Sequence, residues 1–331
     1  MIRRSGLIGA VTLTMLAVIA QSALASFPGR NGTIAYQRNG NNPDSGTVEF
    51  SGISSIPQGS AANCTDNSPY GDQGVDCFIG RFGYSPDGTR IVATRSGRLE
   101  VLDANGKDVR ILTALTSRDS DPAFLADGST IVFAGKANGV SNLYTVNADG
   151  TGLRQLTTKG GSWPAPCATG SIAFVSHDAL YVMRANGSGL RRLARHASTP
   201  DCAPNGESIV YEGRGDDFIV NTRGGTRRIK GGDGSWPVFS PDGALVASEQ
   251  DLPSSEAGGY PVPSIAVVQP KSGRRVRKES IGDNLGVVDV GPLAWRPKRR
   301  SPSGRRVSNP RPSAWEADAL PTELRPRWRR F

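Results

Sequence analysis

One ten-residue pattern recurs along the chain and limits what it can fold into. Its clearest copy is residues 84–93, which contain Ser85-Pro86-Asp87-Gly88 between an aromatic residue and a β-branched run. The pattern returns at residues 124–133, 202–211 and 239–247, and in a shortened form at 167–174. Its glycines, Gly88, Gly128, Gly170, Gly206 and Gly243, are 40, 42, 36 and 37 residues apart. A second pattern follows at residues 99–106, 143–157 and 180–193: an alternating apolar run, then Asn-Gly or Asp-Gly, then in the two longer copies Leu-Arg-x-Leu. A repeat at this spacing implies stacked copies of one small unit, none able to bury its apolar faces alone.

The short alternating runs predict strands. Pro-Asp-Gly, Ala-Asp-Gly and Ala-Asn-Gly predict hairpin turns, because Asp, Asn and Gly tolerate positive φ and proline presets its own φ. Each unit therefore reads as four strands, A to D, and units of about 40 residues arranged around an axis make a propeller. With 41 Gly and 23 Pro among 331 residues, the composition also favours many short strands over a helical bundle.

The Ser-Pro-Asp-Gly turn after an aromatic, the run Leu143-Tyr144-Thr145-Val146 with its Asp149-Gly150 turn, and Leu153-Arg154-Gln155-Leu156-Thr157 resemble the repeats of the TolB-like propeller family. The resemblance spans about residues 27–297 and implies a WD40-like, all-β propeller. TolB is a periplasmic protein of the Tol-Pal system, so the resemblance also implies a protein-binding role. TolB carries an α/β domain ahead of its propeller. Here the repeat region begins near Phe27, and no such domain is expected.

Asn31-Gly32-Thr33-Ile34-Ala35-Tyr36 reads as a turn plus strand B with no strand A before it. Pro292-Leu293-Ala294-Trp295-Arg296-Pro297 reads as strand A with no strand B after it. Joining them removes an exposed sheet edge. The expected architecture is a six-bladed propeller with blades at 27–80 (plus 286–297), 81–117, 118–160, 161–197, 198–233 and 234–285. A seventh, degenerate blade inside the first is the alternative.

Arg3 and Arg4 precede an apolar run over residues 7–20, and Ala23-Leu24-Ala25 follows. This is the pattern of a signal peptide over residues 1–25, and the run is shorter than the ~20 residues that span a bilayer. The chain is expected to be exported, to the periplasm, the cell envelope or the outside. Export permits disulfides among the four cysteines. Three pairings are possible; Cys64 with Cys77 and Cys167 with Cys202 are favoured, and four buried thiols are the alternative. Cys202 stands where other copies have an aromatic, and Cys167 lies near the same place, so neighbouring innermost strands would bring the two together.

The net charge of +9 is concentrated at the ends. Residues 296–331 hold 11 Lys/Arg and 3 Asp/Glu, while residues 26–295 hold 26 basic and 27 acidic residues. The body therefore carries no net-charge signal for nucleic acid. The tail, residues 298–331, is rich in proline and arginine and is expected to be disordered. Its basic charge suits anionic envelope polymers or lipid headgroups, with Trp315 and Trp328 assisting.

The Asp-Gly and Asn-Gly turns belong to one face of a propeller and read as structural. The longer loops belong to the other face, where loops on a rigid scaffold commonly carry recognition. They supply a candidate binding rim of Arg118, Asp119, Asp121, Lys159, Trp163, His196, Asp233 and Trp236, together with the hairpin at residues 250–260. The two Trp-Pro pairs could instead wedge blades together. The mixed charge and tryptophans suit a protein or peptide partner. Gly-x-Ser-x-Gly, His-Glu-x-x-His and P-loop patterns are not found, and only His177 and His196 are available as histidines. No cofactor or metal is expected. The sequence reads as a monomeric, non-catalytic binding module; the alternative is a secreted or envelope-associated hydrolase or lyase with an unrecognised site on the loop face.

Overall fold

The computed structural model describes residues 30–41, 48–56, 59–65, 79–95, 97–104, 110–112, 116, 118–232, 234–252, 262–280 and 287–298. The leader, the tail, Cys77, Asp233 and the tip of the 250–260 hairpin lie outside them, as does the side chain of Cys64. The described strands are β1 (Arg30–Asn41), β2 (Val48–Ile56) and β3 (Gly59–Thr65), then five blades and a last strand. Blade 1 is β4 (Ile79–Tyr84), β5 (Arg90–Arg95), β6 (Arg98–Asp103) and β7 (Arg110–Ile111). Blade 2 is β8 (Arg118–Phe124), β9 (Thr130–Ala137), β10 (Val140–Asn147) and β11 (Arg154–Gln155). Blade 3 is β12 (Ser162–Pro166), β13 (Ser171–Ser176), β14 (Ala179–Arg184) and β15 (Arg191–Arg195). Blade 4 is β16 (Ser198–Cys202), β17 (Ser208–Gly213), β18 (Asp216–Asn221) and β19 (Thr226–Arg228). Blade 5 is β20 (Ser235–Phe239), β21 (Val246–Leu252), β22 (Val262–Val268) and β23 (Arg275–Ser280), and β24 (Val287–Lys298) follows.

The sequence predicts six blades; the count is corrected to five. Each of the five is an antiparallel sheet cut from one unbroken stretch, its strands paired in chain order. A further four-stranded sheet, in the order β24-β1-β2-β3, is drawn from both ends of the chain and departs from the repeat. Its β1 and β24 have 12 residues each, where the three inner strands of the blades have five to eight. The β1–β24 pairing, which sets Ile34 opposite Trp295, shifts register three times. The physical reason is connectivity. In the blades a tight Gly turn ties the innermost strand to the next and pins the register, but β24 and β1 are not consecutive and have no such turn.

Each tight turn is built by its own side chains. The Oδ1 of Asp87, Asp127 and Asp242 accepts the backbone N–H of Thr89, Ser129 and Ala244 at 3.1, 2.7 and 2.9 Å. Gly88, Gly128 and Gly243 close these turns, and Gly206 closes the one in which Asn205 Oδ1 accepts the Glu207 N–H at 3.0 Å, all at φ of 67–71°, which a β-carbon would strain. The turns also abut around the ring: a β-carbon on Gly88 would lie 2.3 Å from the Pro297 carbonyl oxygen, and one on Gly206 would lie 2.5 Å from Thr169.

Within blades 2, 3 and 4 the two middle strands stack an aromatic pair: Phe133 on Tyr144, Phe174 on Tyr181, Tyr211 on Phe218, with centroids 5.6–5.7 Å apart. Between blades lie the apolar clusters, one of which joins Val92 and Leu99 of blade 1 to Phe124, Ile131 and Phe133 of blade 2. Arg90 lies over the Phe124 ring at 5.1 Å and donates to the Gly128 carbonyl of the next blade.

The outermost strands, β7, β11, β15, β19 and β23, together carry ten Lys/Arg and one acidic residue. Charge of one sign along these open edges opposes edge-to-edge pairing. The first arginine of three of them also latches the next blade. Arg154 reaches the Ala185 carbonyl at 3.0 Å, Arg191 the Thr222 carbonyl, and Arg227 the Pro270 carbonyl at 2.7 Å. This accounts for the arginine in Leu-Arg-x-Leu. Arg227→Ala is expected to lower stability by about 0.5–1 kcal/mol, read as a lower urea midpoint at unchanged slope.

Candidate functional site

The loops sort onto two faces. On one, the turns between first and second strands touch those between third and fourth: Ala104, Ala148, Ala185 and Thr222 donate N–H to the carbonyls of Thr89, Ser129, Gly170 and Glu207. On the other, the hairpins between second and third strands meet the crossovers between blades: Asp119 N–H donates to Gly97, Gly161 to Ser141 and His196 to Asp178. The sequence places the longer loops on this second face; among the described residues its hairpins in blades 1 to 4 have two residues each and its inter-blade crossovers two to six, no longer than the turns of the other face, and the tip of the 250–260 hairpin lies outside the described residues.

The innermost strands approach that face through a shared irregularity. Their pairing slips between Ile79 and Phe82, Ser120 and Ala123, Ser162 and Ala165, Ser198 and Asp201, and Ser235 and Val238. At each slip after the first, one residue takes left-handed φ just before a proline: Asp121 (52°), Trp163 (49°), Thr199 (43°) and Trp236 (56°). Arg81 holds the corresponding place in blade 1. The signal was present in the sequence as Ser-x-Pro, at Ser120-Asp121-Pro122, Ser162-Trp163-Pro164, Ser198-Thr199-Pro200 and Ser235-Trp236-Pro237, but only the Trp-Pro pairs stood out. The residue before a proline disfavours helical φ/ψ, and a bulge re-aims the side chain it carries. Thr199 is buried, and its β-branch makes positive φ costly. Thr199→Asn is therefore expected to gain about 1 kcal/mol in urea unfolding.

Where the innermost blade strands and β24 converge lies a cavity of about 100 Å³, lined by residues that include Phe82, Pro122, Pro164, Asp201, Val238 and Leu293. Arg81 spans it: its Nη2 donates to the Pro200 carbonyl at 2.9 Å, and its Nη1 is enclosed without a hydrogen-bond partner. Burial lowers the guanidinium pKa, while the nearby carboxylates of Asp121 and Asp201 favour its charge. Burial raises the Asp121 carboxyl above its ordinary value; Arg81, the Ser120 hydroxyl and the Trp163 backbone N–H work against that rise. The Oδ2 of Asp201 accepts the Phe239 N–H of blade 5 at 2.8 Å.

The residues singled out from sequence fall in several settings. Arg118 is exposed at the start of β8. Asp119 is buried, and its Oδ1 accepts the Thr116 N–H at 3.1 Å and hydroxyl at 2.6 Å. Asp121 interacts with the Arg81 guanidinium. Lys159 is exposed, and its carbonyl accepts the Ser176 hydroxyl at 3.2 Å. Trp163 and Trp236 are half-buried at matching positions of blades 3 and 5, and Trp236 packs on the cluster of Val238, Ala247, Ile265, Val267 and Leu293. His196 is exposed, with Nδ1 2.6 Å from Asp178 Oδ2. Of the eight, Asp121, Trp163 and Trp236 share the repeated bulge position. Thr199 and Arg81, its remaining members, were missed.

The two histidines form separate pairs. Ser176 Oγ lies 2.9 Å from His177 Nδ1, while the Asp178 carboxylate pairs with His196. The serine, its neighbouring histidine and the carboxylate therefore do not form the relay that activates a nucleophile. Among the described residues, no three His, Cys, Asp or Glu side chains gather as a metal site. Cys167 and Cys202 form a disulfide between the innermost strands of blades 3 and 4.

Five sequential four-stranded blades around a narrow axial cavity define a β-propeller. Residues 78–222 match the family model of the TolB beta propeller domain, and the chain carries a TolB-like propeller. Among solved structures it is similar to TolB from Acinetobacter baumannii, with TM-score 0.60 and 17% identity over 81% of this chain and 67% of that one. It is also similar to a protein of Agrobacterium tumefaciens described as a candidate TolB, with TM-score 0.54 and 17% identity over 77% of this chain and 91% of that one. At such identities the likeness is one of fold. A curated relative, hydrazine synthase subunit alpha of Kuenenia stuttgartiensis, is 33% identical over 130 residues; these are 38% of this chain and 15% of that protein's length.

Proposed function

We propose that this protein is an exported, non-catalytic TolB-like propeller that binds a protein or peptide partner on the face of its inter-blade crossovers, around the mouth of the axial cavity. One observation carries the reading. The same bulge recurs in every blade, yet the residue it presents changes from Arg81 to Asp121, Trp163, Thr199 and Trp236. A position repeated for structure alone would favour one residue type. A cation, a carboxylate and two half-buried tryptophans in one ring offer the anchors that protein interfaces use. The surrounding exposed Arg118, Lys159 and His196 supply a polar rim. The leader pattern supports export, and residues 298–331 would add a non-specific electrostatic contact with anionic envelope polymers or lipid headgroups.

The test is affinity capture from cell-envelope extract with the parent, a Trp163→Ala/Trp236→Ala variant and an Asn205→Ala variant altered on the opposite face. The reading expects a partner retained by the parent and by Asn205→Ala, and lost from the tryptophan variant. Equal capture by all three would remove the loop face as the binding surface.

A further inference from the structure

On the face opposite the inter-blade crossovers, the turns of blades 2, 3 and 4 share one geometry and differ in the side chains they carry. In the turn between third and fourth strands, Gly150, Gly187 and Gly224 donate N–H to the carbonyls of Asn147, Arg184 and Asn221 at 2.8–2.9 Å, so these three residues hold equivalent positions. The asparagines tie their turns with short bonds: Asn147 Nδ2 donates to Thr151 Oγ1 at 3.0 Å, and Asn221 Oδ1 accepts the Arg223 N–H at 2.8 Å. The arginine of blade 3 makes only a 3.5 Å contact with Ser188 Oγ. Two residues further along, Asp149 and Asn186 accept the N–H of Thr151 and Ser188 at 2.9 and 3.0 Å. Blade 4 has Arg223 there, which is a donor only.

Arg223 thus stands where the turns of blades 2 and 3 carry a small capping acceptor, and Arg184, in the adjacent blade, repeats the Asn147 donor contact only at a longer distance. Both line one cavity of about 430 Å³ between blades 3 and 4, with Arg191, Ser171, Asn205 and Glu207 also on its wall. Arg191 is committed to the Thr222 carbonyl. The ion pairs of His196 with Asp178 and of Arg228 with Asp216 involve none of these arginines. Arg223 gives up the local cap and Arg184 keeps a weakened one, and departures from a local rule of this kind gather at functional positions.

We infer that this inter-blade cavity is a binding site for a small phosphorylated molecule. Guanidinium groups present planar, paired donors that match phosphate oxygens; Arg184 and Arg223 supply them, and with the charge of Arg191 they outweigh the single carboxylate. Glu207 and Asn205 offer acceptors suited to hydroxyl groups on the ligand body, as in a sugar phosphate. The volume falls in the range of small-molecule sites.

Calorimetric titration at low ionic strength tests this, with glucose 6-phosphate, pyrophosphate and glucose as probes. The expected result is binding of both phosphate compounds and none of glucose. Arg184→Gln/Arg223→Gln, confirmed folded by circular dichroism and thermal melting, is expected to weaken both phosphate compounds at least tenfold. Arg184→Lys/Arg223→Lys, which keeps the charge, is expected to retain measurable binding. Failure of the parent to bind either phosphate compound, glucose binding as tightly as glucose 6-phosphate, or an unchanged affinity in the glutamine variant would each overturn the assignment.

Discussion

Arg81→Ala is expected to destabilise the propeller by about 3–5 kcal/mol at neutral pH, the usual cost of removing one partner from an enclosed charge set. The guanidinium bonds the Pro200 carbonyl and is the cation set against Asp121 and Asp201. Without it, Asp201 on the cavity wall and the neighbouring Asp121 lose the guanidinium whose charge they favour. The sign of the pH dependence follows from Asp121. Burial already raises its pKa in the folded state, and loss of Arg81 raises it further. A carboxyl whose folded pKa is raised binds its proton more tightly when folded, so acidification favours the fold at this site. The variant's deficit is expected to shrink as pH falls from neutral through the raised folded pKa to the ordinary carboxylate value near 4. Urea unfolding of parent and variant at several pH values measures this; a deficit constant with pH would show that the two carboxylates are not what Arg81 balances.

The second large effect is expected at the disulfide. Cys167 and Cys202, 35 residues apart, join the innermost strands of blades 3 and 4. Closing a loop of this length restricts the unfolded chain by about 4 kcal/mol in the chain-entropy account. Cys167→Ser/Cys202→Ser is therefore expected to lose about that much, with the added cost of two hydroxyls at buried positions. The same loss should appear in the parent under reductant and be absent from the variant under reductant. Equal denaturant midpoints for the oxidised parent and the variant would contradict it.

What the sequence made legible was whatever is encoded locally. Ser85-Pro86-Asp87-Gly88 announces its turn because Asp87 caps the Thr89 N–H and Gly88 takes the positive φ, all within five residues. The Cys167–Cys202 pairing followed from repeat register. Residues 26–295 are nearly neutral, which hid the basic outer strands: their arginines are scattered in sequence and meet only at the rim. The blade count failed at the terminal sheet, where no local turn fixes one strand against the next. The axial trio was illegible for the same reason. Arg81, Asp121 and Asp201 are far apart in sequence, and nothing near Arg81 indicates that it bonds Pro200. The ring of bulges had a local trace in Ser-x-Pro, but the varied middle residue obscured the equivalence of Asp121, Trp163, Thr199 and Trp236.

The binding claim is tested most directly by site-specific photocrosslinking in intact cells, with a benzophenone amino acid placed singly at Trp163, Trp236, Thr151 and Asn205. The expected result is one discrete crosslinked product from the two mouth positions and none from the two on the opposite face. Crosslinking confined to Thr151 and Asn205, or the absence of any product at Trp163 and Trp236, would contradict it.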